Sequence, residues 1–146
     1  MMISQDVRFS VLVLNDEVRS HIFDLLRKNE HFIFATVSLD ELINPPKREA
    51  NSIILIDWEV VLAYGITVIS KVKTSCPDCK LIMLCSRAHR DLIKRVMELG
   101  AYGCIIEPYR EWEFSTIVRL ILSGQKIDKK AKAKEGKRQE KKLQDK

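Results

Sequence analysis

Five short apolar runs alternate with five stretches of helical periodicity, and this alternation is the feature that most constrains the fold. The apolar runs predict strands at Phe9–Asp16, His31–Val37, Ser52–Asp57, Lys80–Cys85 and Tyr102–Ile106. The other stretches space their apolar residues three or four apart, which predicts helices at Glu17–Asn29, Leu39–Ile43, Ile66–Ser75, Ala88–Leu99 and Trp112–Ser123. A repeated β-α order implies right-handed crossovers and therefore an α/β fold with a parallel sheet between helices.

Polar or reactive side chains end four of the predicted strands. Asp57 closes the run SIILID, although a charge is costly in a strand that is buried on both faces. The other strand-end residues are Asn15, Asp16, Cys85 and Glu107. Parallel sheets of this kind bind ligands outside the carboxyl ends of their strands. The sequence therefore predicts a ligand-binding rim at this edge, although strand ends also tolerate polar residues without any function.

Length and charge divide the chain into a folded part and a tail. The 146 residues suit one domain with a single core. Residues 126–146 hold 10 of the 25 basic and 4 of the 20 acidic residues, so the preceding part is close to neutral. The tail has almost no apolar residue after Ile127 and should not pack on a core. We predict a domain at 1–124 and a basic, disordered or frayed helical tail at 125–146.

The sequence favours a cytoplasmic location. No apolar run reaches the ~18 residues of a membrane span, and the N-terminus lacks a signal-peptide pattern. In the cytosol the four cysteines should be reduced thiols.

The segment Cys76–Cys79 reads CPDC and permits three interpretations. A redox pair requires a helix N-terminus to lower a thiol pKa, whereas this segment follows a predicted helix. A structural zinc site requires two further ligands, and Cys85 and Cys104 lie at a strand end and inside a strand. A turn built on the proline and aspartate is the simplest interpretation.

Several motifs in order resemble the receiver domain of two-component response regulators. VLVLNDE stands at the acidic pair of that family, IILIDW at its phosphoacceptor, and Gly65 at its usual glycine. MELGAYGCIIEPY resembles the family's Leu-Gly-Ala segment, short strand, and Lys-Pro followed by an aromatic residue. The resemblance covers Phe9 to Ser123 and implies a CheY-like, flavodoxin-like (βα)5 doubly wound fold with strand order 2-1-3-4-5.

The resemblance implies roles for three residues near the first and third strand ends. Asp57 matches the phosphoacceptor, Asp16 matches the second acidic residue, and Asn15 stands in place of the first. The family uses Mg²⁺ to neutralise charge between the carboxylate and the incoming phosphoryl group. The implied ligands are Asp16, Asp57 and Asn15, with weakened affinity because Asn15 is neutral. Glu107 is a further candidate, since three carboxylates would then surround the cation.

The switch positions depart from the family pattern. Cys85 stands where a Ser or Thr hydroxyl is expected, with Ser86 one residue later, and Cys104 stands at the switch aromatic. Glu107 replaces the family's lysine and so reverses a charge beside the phosphoryl group. Arg87 is a candidate counter-charge for Glu107. The resemblance with these departures implies a pseudo-receiver whose phosphorylation switch is weakened; the alternative is a fully active phosphoacceptor.

The implied function is that of a stand-alone receiver in a two-component phosphorelay, acting through protein–protein interaction. Its partners would be a sensor histidine kinase or other signalling proteins, contacted through Ala88–Leu99, Tyr102–Ile106 and the final helix. The chain would not be an enzyme beyond self-phosphorylation and self-dephosphorylation on Asp57. From another class, the basic tail could bind nucleic acid or an anionic surface through counterion release. It has no aromatic residue for base stacking and no hydrophobic face.

Overall fold

A computed structural model of the chain describes residues 6–44 and 52–123. Five strands form one parallel sheet in the order β2-β1-β3-β4-β5. The strands are β1 Val7–Leu12, β2 Phe32–Thr36, β3 Ile53–Asp57, β4 Lys80–Cys85 and β5 Gly103–Ile106. The predicted flavodoxin-like order is confirmed. The predicted domain boundary at 124 and the basic tail lie outside the described residues.

The central strand β3 explains why SIILID is apolar on both sides of the pleat. All residues of Ile53–Asp57 are buried. Ile56 is paired with Leu12 of β1 and with Met83 of β4, so β3 has no free edge. A strand that is paired on both edges and covered on both faces needs a continuous apolar run.

Within the described residues, six helices connect and follow the strands. They are α1 Asp16–Arg27, α2 Leu39–Ile43, α3 Trp58–Tyr64, α4 Thr67–Ser75, α5 Leu92–Glu98 and α6 Glu111–Leu122. The short helix α2 begins at a capping box, in which Ser38 Oγ accepts from Glu41 N and the Glu41 side chain accepts from Ser38 N. The buried residues of α6, Phe114, Val118 and Ile121, follow helical spacing.

Two helices differ from the sequence-based expectation. The sequence does not predict helix α3, because the helix starts directly after β3, has only seven residues and holds only two buried residues, Val60 and Val61. The helix predicted at Ala88–Leu99 begins later, at Leu92. The preceding residues Arg87–His89 form a 3-10 turn instead.

One face of the sheet forms a hydrophobic cluster with α2, α3, α4 and α5. The strands contribute the fully buried side chains of Ile54, Leu81, Met83 and Cys85. The helices contribute Leu42, Val60, Ile69 and Val96, among others. This cluster holds the first residues of α3 against the end of β3, and thereby fixes the backbone on both sides of Asp57.

Cys76 and Cys79 form a disulfide, so the expectation of four reduced thiols is wrong for this pair. The tight turn, in which Cys79 N donates to Cys76 O at 3.1 Å, brings the two Cα atoms to 5.4 Å. That separation is within the usual range for a disulfide. Lys73 Nζ also donates to the carbonyls of Pro77 and Cys79 at 3.0 and 2.9 Å. The zinc interpretation is likewise wrong, because both sulfurs are bonded to each other.

Gly100 follows α5 with a φ of +112°, a conformation that non-glycine residues rarely adopt. A Cβ at this position would lie 3.2 Å from Lys73 Cγ. We expect Gly100→Ala to lower the free energy of unfolding by about 1–2 kcal/mol, measured by urea denaturation. Gly103→Ala is the matched control, because no atom lies within 4 Å of its Cβ position. Equal stability of the two variants would contradict this expectation.

Candidate functional site

The strand register brings the predicted site residues to one edge of the sheet. Asp57 is paired with Leu84, so Cys85 lies one residue beyond it on the neighbouring strand. Cys85 is in turn paired with Ile106, and Glu107 N donates to Cys85 O at 3.0 Å. Three of the predicted side chains therefore start from adjacent backbone positions at the carboxyl ends of β3, β4 and β5.

Asp57 is fully buried, with 0% exposure, and the loop between β1 and α1 holds both of its carboxylate oxygens. Leu14 N donates to Oδ1 at 3.1 Å, and Asn15 N donates to Oδ2 at 3.0 Å. Burial raises the pKa of Asp57 from its ordinary value of 3.8. The hydrogen bonds from Asn15 and Leu14 oppose this rise in pKa, and the negative charge of Glu59 adds to it. The side chain is thus a positioned but poorly solvated carboxylate.

Asn15 links this carboxylate to a second one, that of Glu59. Asn15 is the N-cap of α1, and its Oδ1 accepts from Val18 N at 3.0 Å. Its Nδ2 donates to Glu59 Oε2 at 3.0 Å. The amide oxygen predicted as a metal ligand is therefore used as a helix cap. Sequence reasoning missed Glu59, because α3, which carries it, was not predicted.

Asp16 takes a different direction from Asp57. Its side chain is 87% exposed and pairs with Arg19, which lies one turn further along α1. Arg19 Nη1 also donates to Val13 O at 2.6 Å, so the arginine ties the exposed carboxylate to the end of the strand. This pairing keeps Asp16 engaged outside the buried part of the site.

Glu107 is held by Arg87 through backbone groups. Its Oε1 accepts from Arg87 N at 3.0 Å, and Arg87 Nε donates to Glu107 O at 3.2 Å. Arg87 is therefore a partner of Glu107, but its side chain contacts the main-chain carbonyl. The peptide bond between Glu107 and Pro108 is cis.

The predicted cluster of three carboxylates is not formed in the part of the chain that the structure describes. No group of three His, Cys, Asp or Glu side chains there has the arrangement of a metal site. The physical reason is that Asp16 turns to Arg19 and Glu107 turns to the Arg87 amide, while Asp57 stays buried. The three-carboxylate expectation for Asp16, Asp57 and Glu107 is corrected accordingly.

The candidate switch residues Cys85 and Ser86 contact the 3-10 turn. Cys85 Sγ donates to His89 O at 3.2 Å, and Ser86 Oγ lies 2.7 Å from His89 Nδ1. The His89 ring stacks on Trp58, with centroids 5.9 Å apart. Burial raises the pKa of Cys85 to about 11, and the nearby acids Asp91 and Glu107 contribute to the rise. Both polar groups are already engaged before any ligand arrives.

Cys104 lies on β5, where it is paired with Met83 of β4. It is a free, half-buried thiol, and burial raises its pKa to about 11, with a further contribution from Cys85. A thiol with this pKa is protonated at neutral pH. Its side chain lacks the aromatic ring that the resemblance assigns to this position.

Tyr109 is the second residue that sequence reasoning missed, although its aromatic character was part of the motif. The residue is 7% exposed, and its hydroxyl has no hydrogen-bond partner among the described residues. Its main-chain carbonyl lies 3.0 Å from His21 Nε2, which fixes the backbone there. Burial raises the pKa of Tyr109, and its Coulomb interaction with Glu107 raises it further. The phenol therefore keeps its proton at neutral pH.

Two solved receiver domains have the same fold as this chain. The N-terminal receiver domain of a response regulator from Bacteroides fragilis matches with a TM-score of 0.66 and 17% identity, over 80% of this chain and 97% of that one. The receiver domain of a Pseudomonas aeruginosa sensor histidine kinase, with magnesium coordinated in its active-site cleft, matches with a TM-score of 0.64 and 16% identity, over 80% of this chain and 98% of that one. This chain has the receiver-domain fold.

Longer proteins share this fold over part of their length. NtrX from Brucella abortus matches with a TM-score of 0.66 and 15% identity, over 88% of this chain, which spans 29% of NtrX. No family model matches the sequence, and no curated protein matches it either. Within 6–44 and 52–123, none of the helices of this receiver fold is long and apolar enough to cross a membrane.

Proposed function

We propose that the chain is a receiver-type signalling domain with a weakened phosphorylation switch at Asp57, which acts by binding partner proteins. The observation that carries this proposal is the placement of Asp57. It lies buried at the end of the central strand, with both oxygens held by backbone amides of the β1–α1 loop. Such a carboxylate is oriented for attack but has no cationic side chain bonded to it in the described residues.

Phosphorylation would proceed by nucleophilic attack of one Asp57 oxygen on phosphorus. The new P–O bond replaces the bond to the leaving group, which departs with its electron pair; with acetyl phosphate this group is acetate. Two anions approach each other in this step, so the surroundings must supply positive charge. Glu107 supplies a negative charge at the position of the family's lysine, which disfavours the phosphorylated state.

The oxygen donors at the rim fit Mg²⁺ chemically, though weakly. Carboxylate and amide oxygens are the ligands of this hard cation, and Asp57, Asp16 and Asn15 carry them. A bound cation would neutralise charge between Asp57 and the phosphoryl group. Asn15 brings no charge, and its oxygen caps α1. Asp16 would have to exchange Arg19 for the cation, which further weakens binding.

Acetyl phosphate and Mg²⁺, followed by intact mass measurement, test the proposal. We expect a small fraction of the protein to gain one phosphoryl mass, and we expect Asp57→Asn to abolish this gain. Asp24→Asn, a change in an exposed aspartate of α1, is the matched control and should leave the gain unaltered. High occupancy in the natural protein would contradict the weakened switch and favour the fully active alternative. No gain at all would contradict a phosphoacceptor role for Asp57.

The identity of the partner is also a proposal. Sensor histidine kinases and other signalling proteins are the class that a receiver fold would contact. The surface predicted at Ala88–Leu99 and Tyr102–Ile106 is where we expect such a partner to bind.

A further inference from the structure

The disulfide between Cys76 and Cys79 has one end near the surface and the other end in the core. Cys79 is 0% exposed and belongs to the hydrophobic cluster, whereas Cys76 is only half-buried at the end of α4. The two intervening residues, Pro77 and Asp78, are exposed. A thiolate from solvent can therefore attack the sulfur of Cys76, with the sulfur of Cys79 as the leaving group.

This disulfide closes a very short loop. Its cysteines are separated by three positions in the sequence. A disulfide stabilises a fold mainly by constraining the unfolded chain, and this effect decreases as the closed loop becomes shorter. We therefore expect the chain to stay folded when this disulfide is reduced.

Hydrogen bonds hold the turn closed independently of the bond between the sulfurs. Cys79 N donates to Cys76 O at 3.1 Å. Lys73 Nζ donates to the carbonyls of Pro77 and Cys79 at 3.0 and 2.9 Å. None of these bonds involves a sulfur atom, so they can persist after reduction and keep the two thiols close. Thiols held close to each other re-form a disulfide readily, because the closing step is intramolecular.

We propose that Cys76 and Cys79 form a redox-active pair, which a thiol reductant opens and the corresponding disulfide closes, and that Lys73 positions the turn that carries it. The inference does not depend on the phosphoacceptor role of Asp57. It assigns to the chain a second site, which exchanges two electrons with small or protein thiols.

The reduction proceeds in two thiol–disulfide exchange steps. A thiolate of the reductant attacks Cys76 Sγ and forms a mixed disulfide, and Cys79 leaves as a thiolate that takes up a proton. A second thiolate of the reductant then attacks the reductant's own sulfur in the mixed disulfide, and Cys76 leaves as a thiolate that is protonated in turn. The chain gains two electrons and two protons, and two reductant thiols become one disulfide.

Equilibration of the full chain in mixtures of reduced and oxidised glutathione, at neutral pH without denaturant, tests the proposal. Dithiothreitol alone is the most reducing condition. After an acid quench, the free thiols are alkylated under denaturing conditions and counted by intact mass. We expect two labelled cysteines, Cys85 and Cys104, in oxidising mixtures and all four in reducing ones, with full return after one cycle. The double variant Cys76→Ser, Cys79→Ser is the control and should carry two labels throughout.

Two labels on the natural protein in every condition would overturn the proposal, since the disulfide would then be out of reach of thiols in the folded chain. Four labels in every condition would overturn it as well, because the pair would not close. Urea unfolding in dithiothreitol should keep a cooperative transition. Its loss on reduction would show that the disulfide is structural, and would also overturn the proposal.

Lys73→Met tests whether the lysine positions the pair. This variant keeps both cysteines but removes the two hydrogen bonds from Nζ to the turn. We expect the equilibrium constant for disulfide formation with glutathione to fall about fivefold, the equivalent of one net hydrogen bond. Lys71→Met is the matched control, because it removes an exposed lysine of the same helix, and it should leave the constant unchanged. An unchanged or larger constant in Lys73→Met would overturn the positioning role of Lys73.

Discussion

The Glu107→Lys variant should keep a phosphoryl group on Asp57 at least about ten times longer than the natural protein does. The substitution removes a negative charge at the end of β5 and places a positive charge there. A phosphoryl group at the end of β3 would then face an ammonium group in place of a carboxylate. The interaction changes from repulsion to attraction, which stabilises the phosphorylated state.

The magnitude follows from Coulomb's law. One unit charge about 4 Å away is worth roughly 4 kcal/mol at an effective dielectric constant near 20, and reversing its sign doubles the change. Glu107 is only half-buried, so solvent screens most of this energy. A remainder of about 1.4 kcal/mol already corresponds to a tenfold change. The variant also loses the carboxylate that accepts from Arg87 N, but water can reach that exposed residue.

The lifetime is measured by removing acetyl phosphate and following the phosphorylated mass over time. Glu98→Lys is the matched control, because it makes the same charge change at an exposed position on α5. A local effect requires a longer lifetime in Glu107→Lys than in Glu98→Lys. Equal lifetimes in both variants would show that only net charge matters, and would contradict the role assigned to Glu107.

The second large effect is a pH-dependent gain in stability of Asp57→Asn over the natural protein. Burial raises the pKa of Asp57 in the folded state above its ordinary value of 3.8, whereas the unfolded chain keeps that value. Between the two pKa values the folded state binds more protons than the unfolded state. The free energy of unfolding of the natural protein therefore falls as pH rises through this window. An amide does not titrate, so the free energy of unfolding of Asp57→Asn does not fall with pH for this reason.

The difference in unfolding free energy between Asp57→Asn and the natural protein should grow from about pH 4 upward. One proton sets its slope at no more than about 1.4 kcal/mol per pH unit. The asparagine also loses one acceptor for the Leu14 and Asn15 amides, but that cost does not vary with pH. Urea unfolding across the pH range supplies the difference, and Asp24→Asn is the control for an exposed carboxylate. Parallel pH profiles for Asp57→Asn and the natural protein would contradict the raised pKa.

The fold could be predicted from the sequence to a large extent because its signals are local. Each strand of the sheet is an apolar run that pairs on one or both edges, and such runs are visible in the sequence as in Ile53–Asp57. The sequence did not predict helix α3 because the helix starts directly after β3, has seven residues and buries only two of them. The α-helix after Cys85 begins at Leu92 and not at Ala88, because Arg87–His89 form a 3-10 turn with no buried residue, which the apolar pattern does not reveal.

The candidate site was predicted less completely than the fold. The strand ends placed Asp57, Cys85 and Glu107 at one rim, and the register confirms that they are neighbours. The directions of the side chains were beyond prediction. Asp16 turns away to Arg19, and Glu107 turns to a backbone amide.

Contacts that the sequence did not predict illustrate the same limit. Asn15 donates a hydrogen bond to Glu59, 44 positions away in the sequence. The carbonyl of Tyr109 contacts the ring of His21, 88 positions away. Cys76 and Cys79 were expected to stay reduced, yet a turn brings them within bonding distance. Each of these contacts depends on where the backbone passes in space.

The sequence by itself determined the α/β class, the approximate strands and the rim that carries Asp57, because hydrophobic periodicity and strand ends are properties of short segments. The strand order was implied by the resemblance to receiver domains. Only the tertiary structure decided that Asp57 is fully buried on two backbone amides, and that the Tyr109 hydroxyl is buried with no partner in the part of the chain that the structure describes. Both depend on groups that are distant in sequence and meet only after the strands take their register.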